Sequence, residues 1–225
     1  MANERQIPKT QEYFCNPLYW DIVYAYIQVN SEWDGVEGHP RIFPKKKANF
    51  TKIGDYLGLT RQTVSKRFQD LENGQKDKEG LNLIKKLDNG DYEIIILDSS
   101  VATLINNDTL RVLTSACNNY TISIYVYLYS RWMAQQQQEF KFTYDQLKHI
   151  IGIGKKSDSN DYIVKDILNL LMMMELITLK CNVELSENGG FKTIYSVVGM
   201  KDTVDDKIEQ LSEQSRIERL TKKKC

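Results

Sequence analysis

The segment that most limits how this chain can fold runs from Ile53 to Leu71, where a short amphipathic helix, a glycine turn and a second amphipathic helix follow one another. Ile53 and Leu57 form an apolar stripe on the first helix. Gly54 is a position without a side chain where a second helix can approach, and Gly58 supplies the turn. Thr60 then caps the next helix, its hydroxyl accepting from an N–H of the first turn that has no partner inside the helix. Val64, Phe68 and Leu71 continue an apolar face at spacings of four and three, and that face packs inward. The opposite face presents Arg61, Gln62, Ser65, Lys66 and Gln69, side chains able to hydrogen-bond to base edges and phosphates from a helix lying in a major groove.

The distribution of charge points the same way. The chain has no formal net charge, yet between Arg41 and Arg67 the basic residues Arg41, Lys45, Lys46, Lys47, Lys52, Arg61, Lys66 and Arg67 face a single acid, Asp55. A polyanion responds to local potential, so a neutral chain with one basic segment can hold nucleic acid electrostatically. A solvated loop would explain Lys45-Lys46-Lys47 in isolation; beside this pair of helices, phosphate contact is the better reading.

A chain of 225 residues can bury one large core or two small ones, and the order of elements favours two. The polar start lacks the apolar run of a signal peptide, and no stretch approaches the roughly 20 apolar residues of a membrane span, so a cytoplasmic protein with no membrane partner is expected. Cys15, Cys117, Cys181 and Cys225 are far apart and form no Cys-x-x-Cys pair. They read as free thiols rather than a zinc or redox motif, with Cys225 exposed.

Along the first half, Tyr19 to Val29 places Trp20, Val23, Tyr24 and Ile27 at helical spacing, a core stripe rather than a set of base-stacking aromatics. Ser31 to Pro44 is loop chemistry, with Arg41-Ile42-Phe43 as a short strand. Thr51 to Leu57 is the second helix and Thr60 to about Asn73 the third. Leu81 to Leu87 and Tyr92 to Leu97 are β-prone runs around Asp88-Asn89-Gly90-Asp91, whose Asn-Gly pair signals a tight hairpin. Three helices followed by a hairpin make a winged helix, with Lys85 and Lys86 near the wing tip.

The second half repeats this order with little residue identity. Tyr120 to Met133 is an apolar helix that the run Gln135 to Gln138 either ends or continues, and Phe140-Lys141-Phe142 is the short strand. Thr143 caps Tyr144 to Ile151, Gly152 and Gly154 break the chain, and Asp158 or Ser159 caps a helix reaching roughly Met174. Leu176 to Glu184 and Phe191 to Val198 then flank Ser186-Glu187-Asn188-Gly189-Gly190 as a hairpin with a polar tip. Here Lys155, Lys156 and Lys165 alternate with Asp158, Asp161 and Asp166, and acids near phosphates are repelled. The second unit is therefore expected to grip the backbone weakly, through Lys155, Lys156 and the wing residue Lys192, or to serve as a protein contact. Leu170-Leu171-Met172-Met173-Met174 is apolar all round the helix, which predicts burial on more than one side.

From Lys201 to Lys224 a mixed-charge helix carries Val204, Ile208 and Leu211, with Ile217 and Leu220 out of heptad register, so it docks on its own protein, pairs with another copy or stays loose. Lys222-Lys223-Lys224 reads as a solubilising tail. Catalytic chemistry is poorly represented. His39 and His149 have no metal-ligand spacing, and Gly152-Ile153-Gly154-Lys155-Lys156-Ser157 has His149 and Lys156 where a phosphate-binding loop needs Gly and Ser or Thr. No enzyme activity and no cofactor are expected.

Leu59-Thr60-Arg61-Gln62-Thr63-Val64-Ser65-Lys66-Arg67 resembles the recognition segment of many bacterial and phage helix-turn-helix proteins, a match over nine of the 225 residues. The tandem arrangement also resembles the replication initiators of plasmids and phages, which bind repeated origin sequences as monomers and often repress their own genes as dimers. That resemblance implies origin binding without enzymatic activity. The expectation is a mainly α protein with small β hairpins (α+β): winged-helix units at 1–100 and 101–200, and a charged helix or tail at 201–225. Its partners are double-stranded DNA and a second copy, paired through the second unit or the C-terminal helix. The DNA-binding residues are Lys45, Lys46, Lys47, Lys52, Thr60, Arg61, Gln62, Thr63, Ser65, Lys66, Gln69, Lys85 and Lys86, with Lys155, Lys156, Lys165 and Lys192 as secondary contacts. A transcriptional repressor and a winged-helix protein-interaction module are the alternative functions.

Overall fold

The computed structural model describes residues 4–8, 22–74, 82–97, 102–153, 160–185 and 189–222, with the backbone alone at 8, 191–192 and 215–222. Helices and small antiparallel sheets make an α+β protein in which one order of elements occurs twice. First come α1 (Ile22–Asn30), β2 (Ile42–Phe43), α2 (Phe50–Leu57), α3 (Arg61–Asn73) and a hairpin of β3 (Ile84–Lys86) and β4 (Tyr92–Ile94), preceded by a strand β1 (Glu4–Pro8). After β5 (Ala102–Asn106) and α4 (Asn107–Ala116) the order returns. It consists of α5 (Asn119–Ala134), β6 (Phe140–Phe142), α6 (Tyr144–Ile150), α7 (Asp161–Met173) and a hairpin of β7 (Ile177–Leu185) and β8 (Phe191–Met200), followed by α8 (Asp206–Lys222). In both sheets the short strand pairs with the second strand of the hairpin, giving the orders β2-β4-β3 and β6-β8-β7. Among the described residues no helix is long and apolar enough to cross a membrane.

The first unit closes around aromatics. Val23, Tyr24 and Ile27 of α1 are buried, and Phe68 of α3 meets Phe50 at 4.8 Å, Tyr92 at 5.2 Å and Phe43 at 6.1 Å between ring centroids. That cluster fixes the start of α2. The helix begins at Phe50 rather than Thr51 because Asn49 caps it, its side chain accepting from Lys52 N–H, and because Phe50 is needed against Phe68. The hairpin strands are shorter than the β-prone runs, and the connection is not a two-residue Asn-Gly turn. Gly90 N–H donates to the Leu87 carbonyl and Leu87 N–H to the Asp91 carbonyl, and in this loop Gly90 alone has positive φ, at 89°. This is the type I turn with a following left-handed glycine that joins slightly longer hairpins.

Two pieces of the fold lie where the sequence indicates no element. β1 pairs antiparallel with β5, Glu4 opposite Asn106 and Pro8 opposite Ala102, and α4 continues directly from β5 with the Asn106 side chain as its cap. α4 then touches α1, α2, α5 and α8, so it cements the two units. The C-terminal helix takes the first of its three expected options and docks on its own protein. Arg111 of α4 pairs with Glu209 at 3.3 Å, Ser115 donates to the buried Ser212 at 3.2 Å, and the Thr109 hydroxyl donates to the Asp202 carbonyl.

In the second unit the glutamine run ends α5 at Ala134, the first of its two expected outcomes, with Gln136 and Gln137 in left-handed conformation at φ 54° and 63°. Two other expectations need correction. The Leu170–Met174 stretch is not buried on more than one side: Leu171 and Met174 are inside, but Met173 is 76 % exposed and Met172 37 %. An all-apolar stretch reports the sum of faces, and here one face has no packing partner among the described residues. The cap position of α7 is Asn160, whose side chain makes no capping bond. Asp158 and Ser159, like Tyr19, Trp20, Leu81, the hairpin tip at 186–188, Cys15, Cys225, Lys223 and Lys224, lie outside the described residues. Of the remaining thiols, Cys117 is buried and Cys181 exposed.

Candidate nucleic-acid interface

The geometry begins at Gly54. Leu59 N–H donates to the Gly54 carbonyl at 2.8 Å, and a methyl group on Gly54 would stand 2.6 Å from the Leu59 carbonyl oxygen. The close approach expected there is therefore made by the turn and the first residues of α3, backbone against backbone. Gly58 takes the left-handed conformation at φ 72°, and Thr60 caps α3, accepting from Thr63 N–H at 3.1 Å. Val64, Phe68 and Leu71 are buried as their spacing requires. Arg61, Gln62, Lys66 and Gln69 are exposed on the opposite side, with Ser65 half-buried between them. The Thr60 and Thr63 hydroxyls bond each other at 2.9 Å, so both belong first to the cap.

The lysines around this helix sort into different situations. Lys46 and Lys52 are exposed. Lys45 is exposed too, but its N–H donates to the Asp91 carboxylate at 2.7 Å and its side chain lies along Gly90, joining the lysine turn to the hairpin tip. Lys47 is half-buried and held against the fold, donating to the Asn30 carbonyl at 2.9 Å and pairing with Glu32 at 3.0 Å, which keeps the Glu32 carboxyl below the usual carboxylate range. Its charge is directed at Glu32. Arg67 pairs with Asp70 at 3.8 Å, and Arg41 stacks over Trp33 at 5.9 Å. On the hairpin, Lys85 stands opposite Glu93, while Lys86 stands opposite Tyr92 on the other face of the sheet, the face that meets Phe68.

The second unit repeats the scaffold with different chemistry. Thr143 forms a full capping box with Gln146, Gly152 is left-handed at φ 71°, and Ile153 N–H donates to the Lys148 carbonyl at 3.0 Å, as Leu59 does to Gly54. Lys148 thus occupies the place of Gly54. It is buried, and its ammonium meets Asp145 and Asp161 at 2.7 Å each, contacts that raise its pKa above the ordinary lysine value. On α7 the outward residues are Tyr162, Lys165, Asp166, Asn169 and Met173. Lys165 therefore sits beside an acid and among apolar groups. For Lys192 only the backbone is described, opposite Glu184, and Lys155 and Lys156 lie outside the described residues.

Asp91 and Lys148 are the site-shaping residues that the sequence does not announce. Lys148 has a signal in retrospect: it lies between Tyr144 and Ile151 on the inward stripe of a helix, where a lysine stays only with an acid to meet it. His39 pairs with Asp34 on an exposed loop, and no group of three His, Cys, Asp or Glu side chains among the described residues is arranged to hold a metal ion. No protein-family model matches this sequence, and no curated protein matches it either.

Proposed function

We propose that the chain binds double-stranded DNA in a sequence-specific manner through two tandem winged-helix units, the first of which reads the duplex. The observation that carries this is α3, a helix anchored by Val64, Phe68 and Leu71 whose outward face offers Arg61, Gln62, Lys66 and Gln69 and has no acid before Asp70. Such a face can bond base edges, with Arg suited to guanine and Gln to adenine. Lys46 and Lys52 flank it for phosphates, with Lys45, Lys85 and Lys86 at the hairpin. The order β2-β4-β3, repeated as β6-β8-β7, supports the winged-helix reading of both units. No catalytic residue is assigned.

Two units in one chain suit a plasmid- or phage-type replication initiator gripping origin repeats. A transcriptional regulator is favoured by a different observation: of α3 and α7, only α3 presents cations and amides with no acid among them, so a dimer would supply one reading helix to each half of a palindrome. Recovering bound fragments from host and mobile-element DNA separates the two. Directly repeated sites support initiation and a single palindrome supports regulation. Failure to bind heparin or random duplex at low salt would leave a protein-interaction module instead.

A further inference from the structure

The second hairpin is far longer than the first and ends in an open edge. β7 pairs with β8 on one side, and among the described residues no strand pairs with the other. Its only irregularity lies between Thr178 and Leu179, which leaves Leu179–Leu185 as an uninterrupted paired run. Along that run Leu179, Cys181, Val183 and Leu185 share one face and Lys180, Asn182 and Glu184 the other. Val183 is 64 % exposed and Leu185 74 %. A regular edge with exposed apolar side chains is a template for another strand, and a lysine is the usual device that blocks one.

We propose that β7 pairs antiparallel with β7 of a second copy of this chain, about a two-fold axis through Asn182, joining two three-stranded sheets into one. The choice of partner comes from the strand's own symmetry. Centring on Asn182 sets Leu179 against the partner's Leu185 and Cys181 against the partner's Val183 on one face, and Lys180 against the partner's Glu184 on the other. Moving the axis to Cys181 or Val183 keeps the faces matched but loses the Lys180 to Glu184 pairing. Lys180, which would repel a like-charged edge, becomes a selective contact for this one. Glu184 already meets Lys141 within its own chain, so in the pair it lies between two cations. Contacts of this kind are isologous and close at two chains.

Sedimentation of the full chain tests the register by charge. Lys180→Glu and Glu184→Lys each set like charges opposite one another twice per dimer and should weaken association at least about tenfold. The double reversal restores the pairing and should recover association to within roughly threefold. Lys141→Ala, which removes only the intrachain partner of Glu184, should change it by no more than about twofold. In a background with Cys15, Cys181 and Cys225 replaced by Ser, Asn182→Cys should cross-link to itself under mild oxidation. A monomer at all concentrations up to about 100 μM, a double reversal as weak as the single ones, or Asn182→Cys dimers that do not cross-link would each overturn the proposal. So would variants that alter DNA affinity while leaving association unchanged, which would make the hairpin a DNA wing.

Discussion

Counting from the caps Asn49 and Thr143, the first unit carries Gly54 and the second Lys148 at the same place, and the two units differ in how their helices meet there. Gly54 lets the Leu59 carbonyl and the start of α3 press against α2, so α3 is set by rigid backbone contact. Lys148 stands at the corresponding place with a side chain and takes Asp161 at the start of α7 as its partner, and more residues separate Gly152 from that helix than separate Gly58 from α3. The outward faces differ as well: cations and amides without an acid before Asp70 on α3, and Tyr162, Lys165, Asp166, Asn169 and Met173 on α7. One scaffold therefore carries two surfaces, and in the proposed function only the first is suited to a polyanion.

The largest test of this contrast is to destroy one unit. Val64 is fully buried, so Val64→Asp sets an unpaired carboxylate between α2 and α3 and should cost about 4 kcal/mol or more. Thermal denaturation should show a lowered or lost cooperative transition together with loss of all specific DNA binding; specific binding that survives the loss of structure around Val64 would move the reading role to the second unit. Next in size is charge reversal. Lys66→Glu should lower affinity for the cognate duplex by roughly a hundredfold or more, about 2.7 kcal/mol. Lys165→Glu, beside Asp166, should cost only a few fold. Equal losses, measured by anisotropy with cognate and random duplexes, would erase the proposed division of labour.

Gly54→Ala comes third and bears on the turn alone. The added methyl meets a backbone oxygen at 2.6 Å, an overpacking of about 1–3 kcal/mol, from which about 0.5–1 kcal/mol is recovered because alanine favours a helix. A net loss of about 1–2 kcal/mol in denaturant unfolding is expected, and a gain in stability would show that the contact is not tight. The smallest effect is on salt dependence. Lys46→Ala and Lys52→Ala should each make the slope of affinity against salt shallower by up to about one unit, while Lys47→Ala, whose partner is Glu32, should leave it nearly unchanged.

α3 was legible because its signals are local. The Thr60 cap, the Gly58 turn and the spacing of Val64, Phe68 and Leu71 each need only neighbouring residues to be interpreted. The β1 to β5 pairing was not legible, since its partners are far apart in the chain and Glu4–Pro8 has little β character of its own. α4 went unread although Leu110, Val112 and Leu113 are buried on it, and the stripe of Val204 and Ile208 left three options for α8, of which docking is fixed by Ser115 meeting Ser212 and Arg111 meeting Glu209 far along the chain. The same limit applies to the basic segment. Charge counting groups Lys47 with Lys46, and only the fold brings Glu32 and Asn30 to Lys47.

The central claim is that the start of α3 chooses the DNA sequence, and selection of bound sites from a random duplex pool tests it most directly. Arg61 is exposed in the first turn, where a side chain can donate twice to a guanine. Arg61→Ala should cost about 1–3 kcal/mol at the cognate site and relax the preference at one base pair, leaving nonspecific binding nearly intact. If the wild type and a folded Arg61→Ala select the same sequences with the same stringency, Arg61 does not read bases and the placement of α3 in a major groove is wrong.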